Sequence, residues 1–162
     1  MGAEDSIRTD NARSTALLAR SSETLPDRAT IVLVSGGFDP IHEGHVALLQ
    51  AAARMGRVFV ALNSDAWLTR KKGKPFMTWG ARAAILKECR SVSQVIKVND
   101  FDGTVCHAIE AVRPHAFLNG GDRTSPNKKE HALCQKLGIH EYFNVGGVKI
   151  QSSSDLIKRA SA

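Results

Sequence analysis

The stretch Ile31-Val32-Leu33-Val34-Ser35-Gly36-Gly37-Phe38-Asp39-Pro40-Ile41-His42-Glu43-Gly44-His45 decides the fold. Its apolar run ends in a glycine pair, and an apolar-periodic segment begins at Val46. A buried strand is therefore expected to pass through a glycine-rich turn into the start of a helix. Such a turn suits phosphate, because glycine lets the backbone approach closely and N–H groups at a helix start point at an anion. Two histidines three positions apart can aim both imidazoles at one spot. The pattern predicts a site for a nucleotide triphosphate.

Outward from this turn, short β-rich runs alternate with helix-like segments. Strands are expected over 30–35, 57–62, 94–98, 115–119 and 140–144, and helices over 44–55, 79–89, 103–112, 127–137 and 153–160. Val58-Phe59-Val60-Ala61-Leu62 is almost continuously apolar, as a parallel strand covered on both faces should be. The alternation implies right-handed βαβ units. The expected fold is α/β, a Rossmann-like, doubly wound, five-stranded parallel sheet with helices on both faces. Ligands of such sheets bind beyond the carboxyl ends of the strands, where the turns 36–45, 63–78, 120–126 and 145–153 fall.

Residues 1–29 mix charged and hydroxyl side chains around one short apolar patch, Ala16-Leu17-Leu18-Ala19, and are expected to form a flexible extension. Its acidic residues argue against a mitochondrial transit peptide. The folded domain is expected over 30–162. A chain of 162 residues with 43% hydrophobic content can bury one core. The net charge of +6 suits anionic ligands. A single tyrosine and no repeated basic-aromatic interleaving speak against specific nucleic-acid binding. Cys89, Cys106 and Cys134 form no Cys-x-x-Cys pair, so free thiols in a reducing cytoplasm are expected. No apolar segment approaches membrane-spanning length, and no membrane association is expected.

Metal ligation by the histidines is disfavoured. A zincin helix needs histidines four apart, whereas Gly44 here separates Glu43 from His45 and the spacing is three. Further along, Asn63-Ser64-Asp65 precedes Arg70-Lys71-Lys72-Gly73-Lys74-Pro75, a basic cluster able to swing ammonium groups over a phosphate. In Asn119-Gly120-Gly121-Asp122-Arg123-Thr124 the glycine pair permits close backbone approach, and Asp122 can accept bonds from a base, ribose or sugar hydroxyl. Ser152-Ser153-Ser154 before a helix supplies hydroxyls and N–H groups, a second anion site facing the first.

Gly-x-Phe-Asp-x-x-His-x-Gly-His, from Gly36 to His45, resembles the signature of the nucleotidyltransferase superfamily, and the resemblance extends over roughly residues 30–158. Asn63-Ser64-Asp65, Lys72-Gly73 and Gly120-Gly121-Asp122 are most similar to the adenylyltransferase domain of ADP-heptose synthase, with glycerol phosphate cytidylyltransferase close behind. The resemblance implies transfer of a nucleotidyl group from ATP or CTP to a phosphorylated sugar or polyol, with pyrophosphate released. It implies catalytic roles for His42, His45 and Lys72. Nucleotide contacts would come from Gly36, Gly37, Phe38, Asp39, Gly44, Asn63, Gly121, Asp122, Ser152, Ser153 and Ser154, and acceptor contacts from Lys74 and Arg82. Phe76 and Trp79 would wall the acceptor site or cover the core. Mg²⁺ would bridge the nucleotide phosphates, and homodimerisation is common among such proteins. Three departures stand out: Gly80 replaces the glutamate of the usual Glu-x-Arg before Arg82, Lys149 stands near a usual arginine, and Ile157 replaces an arginine of nicotinamide mononucleotide adenylyltransferases. A module of a different class, binding nucleotide without turnover, would show the same phosphate-binding residues.

Overall fold

The computed structural model describes residues 29–121, 123 and 125–161. Its elements run β1 (Ile31–Gly36), α1 (Glu43–Ala53), β2 (Arg57–Leu62), α2 (Asp65–Lys72), α3 (Trp79–Glu88), β3 (Val92–Lys97), α4 (Cys106–Val112), β4 (Ala116–Gly120), α5 (Lys128–Leu137), β5 (His140–Val145) and α6 (Ser153–Ala160). The sheet has the order β3-β2-β1-β4-β5, and every neighbouring pair is parallel. β1 is central, with Val32 opposite Val58 on one side and Ala116 on the other. This is the doubly wound α/β sheet expected from the alternating pattern.

The alternation of side chains along β1 sorts the core into two layers. Val32 and Val34 point to one face, where they pack with Leu48, Leu49 and Ala52 of α1 and Ala83 and Leu86 of α3. Leu33 points to the other, with Ala61, Phe117, Ile109 of α4 and Cys134 of α5. Successive connections therefore lie on one face up to β3 and cross to the opposite face before β4. The switch opens a crevice at the carboxyl ends of β1 and β4.

Within the turn expected over 63–78, residues 65–72 form helix α2. Ser64 caps it by accepting the Trp67 N–H, Asp65 complements its positive end, and Arg70, Lys71 and Lys72 sit at its negative end. It buries only Leu68, so no apolar stripe announces it. β3 begins at Val92 rather than at residue 94. α4 begins at Cys106 rather than at residue 103, because the Asp102 carboxylate takes both the N–H and the hydroxyl of Thr104 and holds a turn there. Residues 1–28 of the expected extension, and Asp122 among the expected site residues, lie outside the described residues.

Candidate active site

β1 delivers the chain to Gly36 and Gly37 at the crevice. Phe38 follows with φ 49°, a left-handed conformation uncommon for a bulky side chain, and its ring is buried beside the His45 ring at 4.6 Å. His42 then caps α1. Its Nδ1 accepts the Gly44 N–H at 3.1 Å, while His45 Nδ1 accepts the His42 N–H at 3.2 Å. The two imidazoles act as a reciprocal capping box, a role usually filled by serine and glutamate. A neutral ring that accepts at Nδ1 carries its proton on Nε2, so each is a donor at the cleft it lines.

The rings stack with centroids 3.8 Å apart. A Cβ on Gly44 would lie 3.0 Å from His42 Cε1, so the glycine makes room for the stack. Burial, then the neighbouring His42 and Lys72, push the His45 pKa down to about 3. His45 is thus a neutral hydrogen-bond donor throughout the physiological range.

The turn is gripped from both sides. Lys72 at the end of α2 reaches the Asp39 carbonyl at 3.4 Å, and Ser153 of α6 donates its hydroxyl to the Pro40 carbonyl at 2.9 Å. Ser152 caps α6, accepting the Asp155 N–H at 3.1 Å and donating to the Asp155 carboxylate at 2.6 Å. Ser154 is exposed. α2, the histidine turn and the amino end of α6 together enclose a cleft of about 580 Å³ over β1 and β4. Gly36, Gly37, Asn63, Gly121 and all three serines also line it. Its cations are Lys71, Lys72, Arg123 and Lys149, and among the described residues no carboxylate lines it. Such a wall attracts phosphates.

The side chains of Asp39, Arg82 and Lys74, expected to contact ligand, are not among those that line the cleft. Asp39 is buried, and its carboxylate accepts the N–H groups of Phe76 and Met77 at 2.6 and 2.7 Å. Arg82 is 1% exposed; it donates to the carbonyls of Gly37, Asn63 and Met77 and pairs with the Asp65 carboxylate at 2.6 Å. These two residues position the site from behind. Lys74 is exposed on the segment that follows α2. Asn63 lines the cleft but gives its amide N–H to buried Asp100. Phe76 is exposed, whereas Trp79 packs on the core and donates its indole N–H to the Leu62 carbonyl.

Arg123 and Trp67 line the cleft although the motif pattern gives them no role, and Lys71 does so as a member of the basic cluster 70–74. Arg123 donates to Asn119 at 3.1 Å and to Glu130 at 3.2 Å, and Glu130, only 3% exposed, also takes the Val105 N–H. The buried glutamate fixes the arginine at the end of β4. Trp67 and Lys71 face the cleft from α2. Their four-residue spacing was the available signal, visible only once 65–72 is known to be helical.

The sequence pattern of the cytidylyltransferase-like family matches residues 33–159, from β1 into α6. The chain belongs to the cytidylyltransferase-like family. This nucleotidyltransferase is 38% identical over 152 residues to the bifunctional protein HldE of Halorhodospira halophila, a match covering 88% of the chain and 30% of the relative. It is 40% identical over 99 residues to the bifunctional protein HldE of Gluconobacter oxydans, covering 59% of the chain and 20% of the relative. The chain thus spans about a fifth to a third of the length of these curated relatives. A lipopolysaccharide core biosynthesis protein of Thermoplasma volcanium shares its fold with a TM-score of 0.59 at 25% identity, over 70% of this chain and 93% of that one. Among the described residues no helix is long and apolar enough to cross a membrane.

Proposed function

We propose that this nucleotidyltransferase moves an NMP unit from ATP or CTP to a phosphorylated sugar or polyol, most in keeping with a sugar-phosphate adenylyltransferase. The observation that carries the reading is the stacked pair His42 and His45, each accepting a backbone N–H at Nδ1. Two donors fixed in this way offer hydrogen bonds to the phosphate oxygens that gain charge in the transition state. An acceptor phosphate oxygen attacks the α-phosphorus, the bond from that phosphorus to the bridging oxygen breaks, and pyrophosphate leaves. The attacking oxygen is already anionic, so no protein nucleophile or strong base is needed. Catalysis rests on alignment and charge stabilisation. Lys72 neutralises charge on the side of α2, and the amino end of α6 with Ser152, Ser153 and Ser154 holds the outer phosphates.

Mg²⁺ would accompany the nucleotide and would neutralise phosphate charge. The histidines, lysines and serines that line the cleft suit phosphate oxygens, and among the described residues no carboxylate lines it to hold the ion directly. The match to the bifunctional protein HldE supports a sugar-phosphate acceptor. A coupled pyrophosphate assay over ATP, CTP, GTP and UTP, each with a panel of sugar and polyol phosphates, tests the reading. Release with ATP and a sugar phosphate is the expected result. Tight nucleotide binding without pyrophosphate from any acceptor would instead identify a module that binds without turnover.

A further inference from the structure

We propose that Trp67 and Lys71 form the acceptor-recognition face of the cleft and select phosphorylated sugars in ring form over open-chain polyol phosphates. The inference rests on the transfer reaction above and concerns which acceptor the site admits. Of the residues of α2, Trp67, Leu68, Lys71 and Lys72 line the cleft, and their spacing places them on one side of the helix. The remaining basic residue of that helix is directed elsewhere: Arg70 donates to the Asp100 carbonyl at 2.7 Å and lies over the Phe101 ring. The cleft face of α2 therefore combines one large flat aromatic with two ammonium groups.

The histidine turn lies between this face and α6, since Lys72 grips it at Asp39 and Ser153 grips it at Pro40. With the nucleotide phosphates at α6, the acceptor phosphate approaches from α2. Two ammonium groups are sufficient to attract a phosphate, and an indole adds nothing to that task. Trp67 is only half-buried, with its ring edge 3.6 Å from where a Gly37 Cβ would be, so it borders the cleft rather than filling the core. Lys71 Nζ lies 4.4 Å from the indole centroid. A pyranose phosphate satisfies both groups at once: its phosphate draws the ammonium away, and its C–H face takes the ring face that the ammonium covered. Glycerol phosphate offers the phosphate but no flat apolar face.

The chain has two tryptophans, so Trp79→Phe leaves Trp67 as the sole indole reporter. A thermal melt first establishes that this background is folded. Its emission is then titrated with glucose, mannose and galactose 1-phosphates, glycerol 3-phosphate and inorganic phosphate, with and without the α,β-methylene analogue of ATP. We expect at least one pyranose phosphate to change Trp67 emission and to bind roughly tenfold more tightly than glycerol 3-phosphate. Lys71→Gln should weaken every phosphorylated ligand by roughly tenfold, whereas Trp67→Leu, followed by calorimetry, should remove only the preference for the ring. An unchanged preference in Trp67→Leu, equal binding of glycerol 3-phosphate, or no response to any phosphate would each overturn the proposal. Binding is read without turnover, so a missing pyrophosphate product would count against the transfer reaction alone.

Discussion

At the scale of single residues, the site depends on two stacked imidazoles that each accept a backbone N–H at Nδ1, with His45 held neutral by burial. If His45 stabilises charge at the α-phosphate, His45→Ala should lower turnover roughly 10²–10³-fold with the fold intact. Near-normal pyrophosphate release from the folded variant would remove His45 from the chemistry. Its pKa of about 3 makes a separate statement about stability. Between that value and the ordinary 6.5, the unfolded chain binds a proton that the folded chain refuses. Stability from this group is therefore complete above pH 6.5 and is lost as the pH falls from 6.5 toward 3, by at most about 1.4 kcal/mol per pH unit. Urea melts at pH 4 to 7 should show this slope in the wild type and a shallower one in His45→Gln. Equal slopes would mean that the proton is taken up elsewhere.

At the scale of elements, Arg82 of α3 ties the start of α2 to the turn after β1, and Asp39 in that turn holds the segment leading into α3. Arg82→Ala should cost about 2–4 kcal/mol, because the carbonyls of Gly37, Asn63 and Met77 lose their donor, whereas Asp65, 41% exposed at its side chain, regains water. Arg82→Lys should recover little of this, since an ammonium cannot span the same fork. Denaturation of the two variants checks both expectations; a mild loss in Arg82→Lys would show that charge alone is enough. The motif pattern records neighbourhood along the chain, and both residues lie next to segments that line the cleft. Whether a carboxylate or guanidinium turns toward a ligand or toward backbone depends on the packing of α2, which the pattern does not carry. α2 itself had readable caps in Ser64 and Gly73, the latter at φ 89°. Its polar composition masked them, since helix periodicity is legible only where an apolar stripe is buried. The inner strands β1, β2 and β4, largely apolar on both faces, are legible for the opposite reason. Arg123 illustrates a third case: its importance lies in buried Glu130, seven residues away across a loop, and no spacing rule joins them.

At the scale of the whole molecule, the cleft exists because the connections change face between β1 and β4, and its far wall is the contact between the loops after β4 and β5. That contact is tight. A Cβ on Gly121 would lie 2.1 Å from the Gly147 carbonyl oxygen, a backbone atom that cannot move aside without parting the loops. Gly80, the other glycine worth comparing, sits in α3 with nothing within 4 Å of its Cβ position. The two positions therefore predict opposite outcomes for the same change. Gly80→Ala should gain about 0.4–1 kcal/mol by restricting the unfolded chain, and should keep the response to nucleotide. Gly121→Ala should melt lower and lose that response, because opening the far wall displaces Gly147 and the approach to α6. In the wild type, nucleotide at a hundredfold excess over Kd adds about 2.7 kcal/mol, a rise in Tm of roughly 5–10 °C for a chain of this size. Thermal melts of the three proteins with and without ATP and CTP settle the matter. If Gly121→Ala kept the full rise, nucleotide would be held by the histidine turn and α6 alone, and the contact between the two loops would serve stability only.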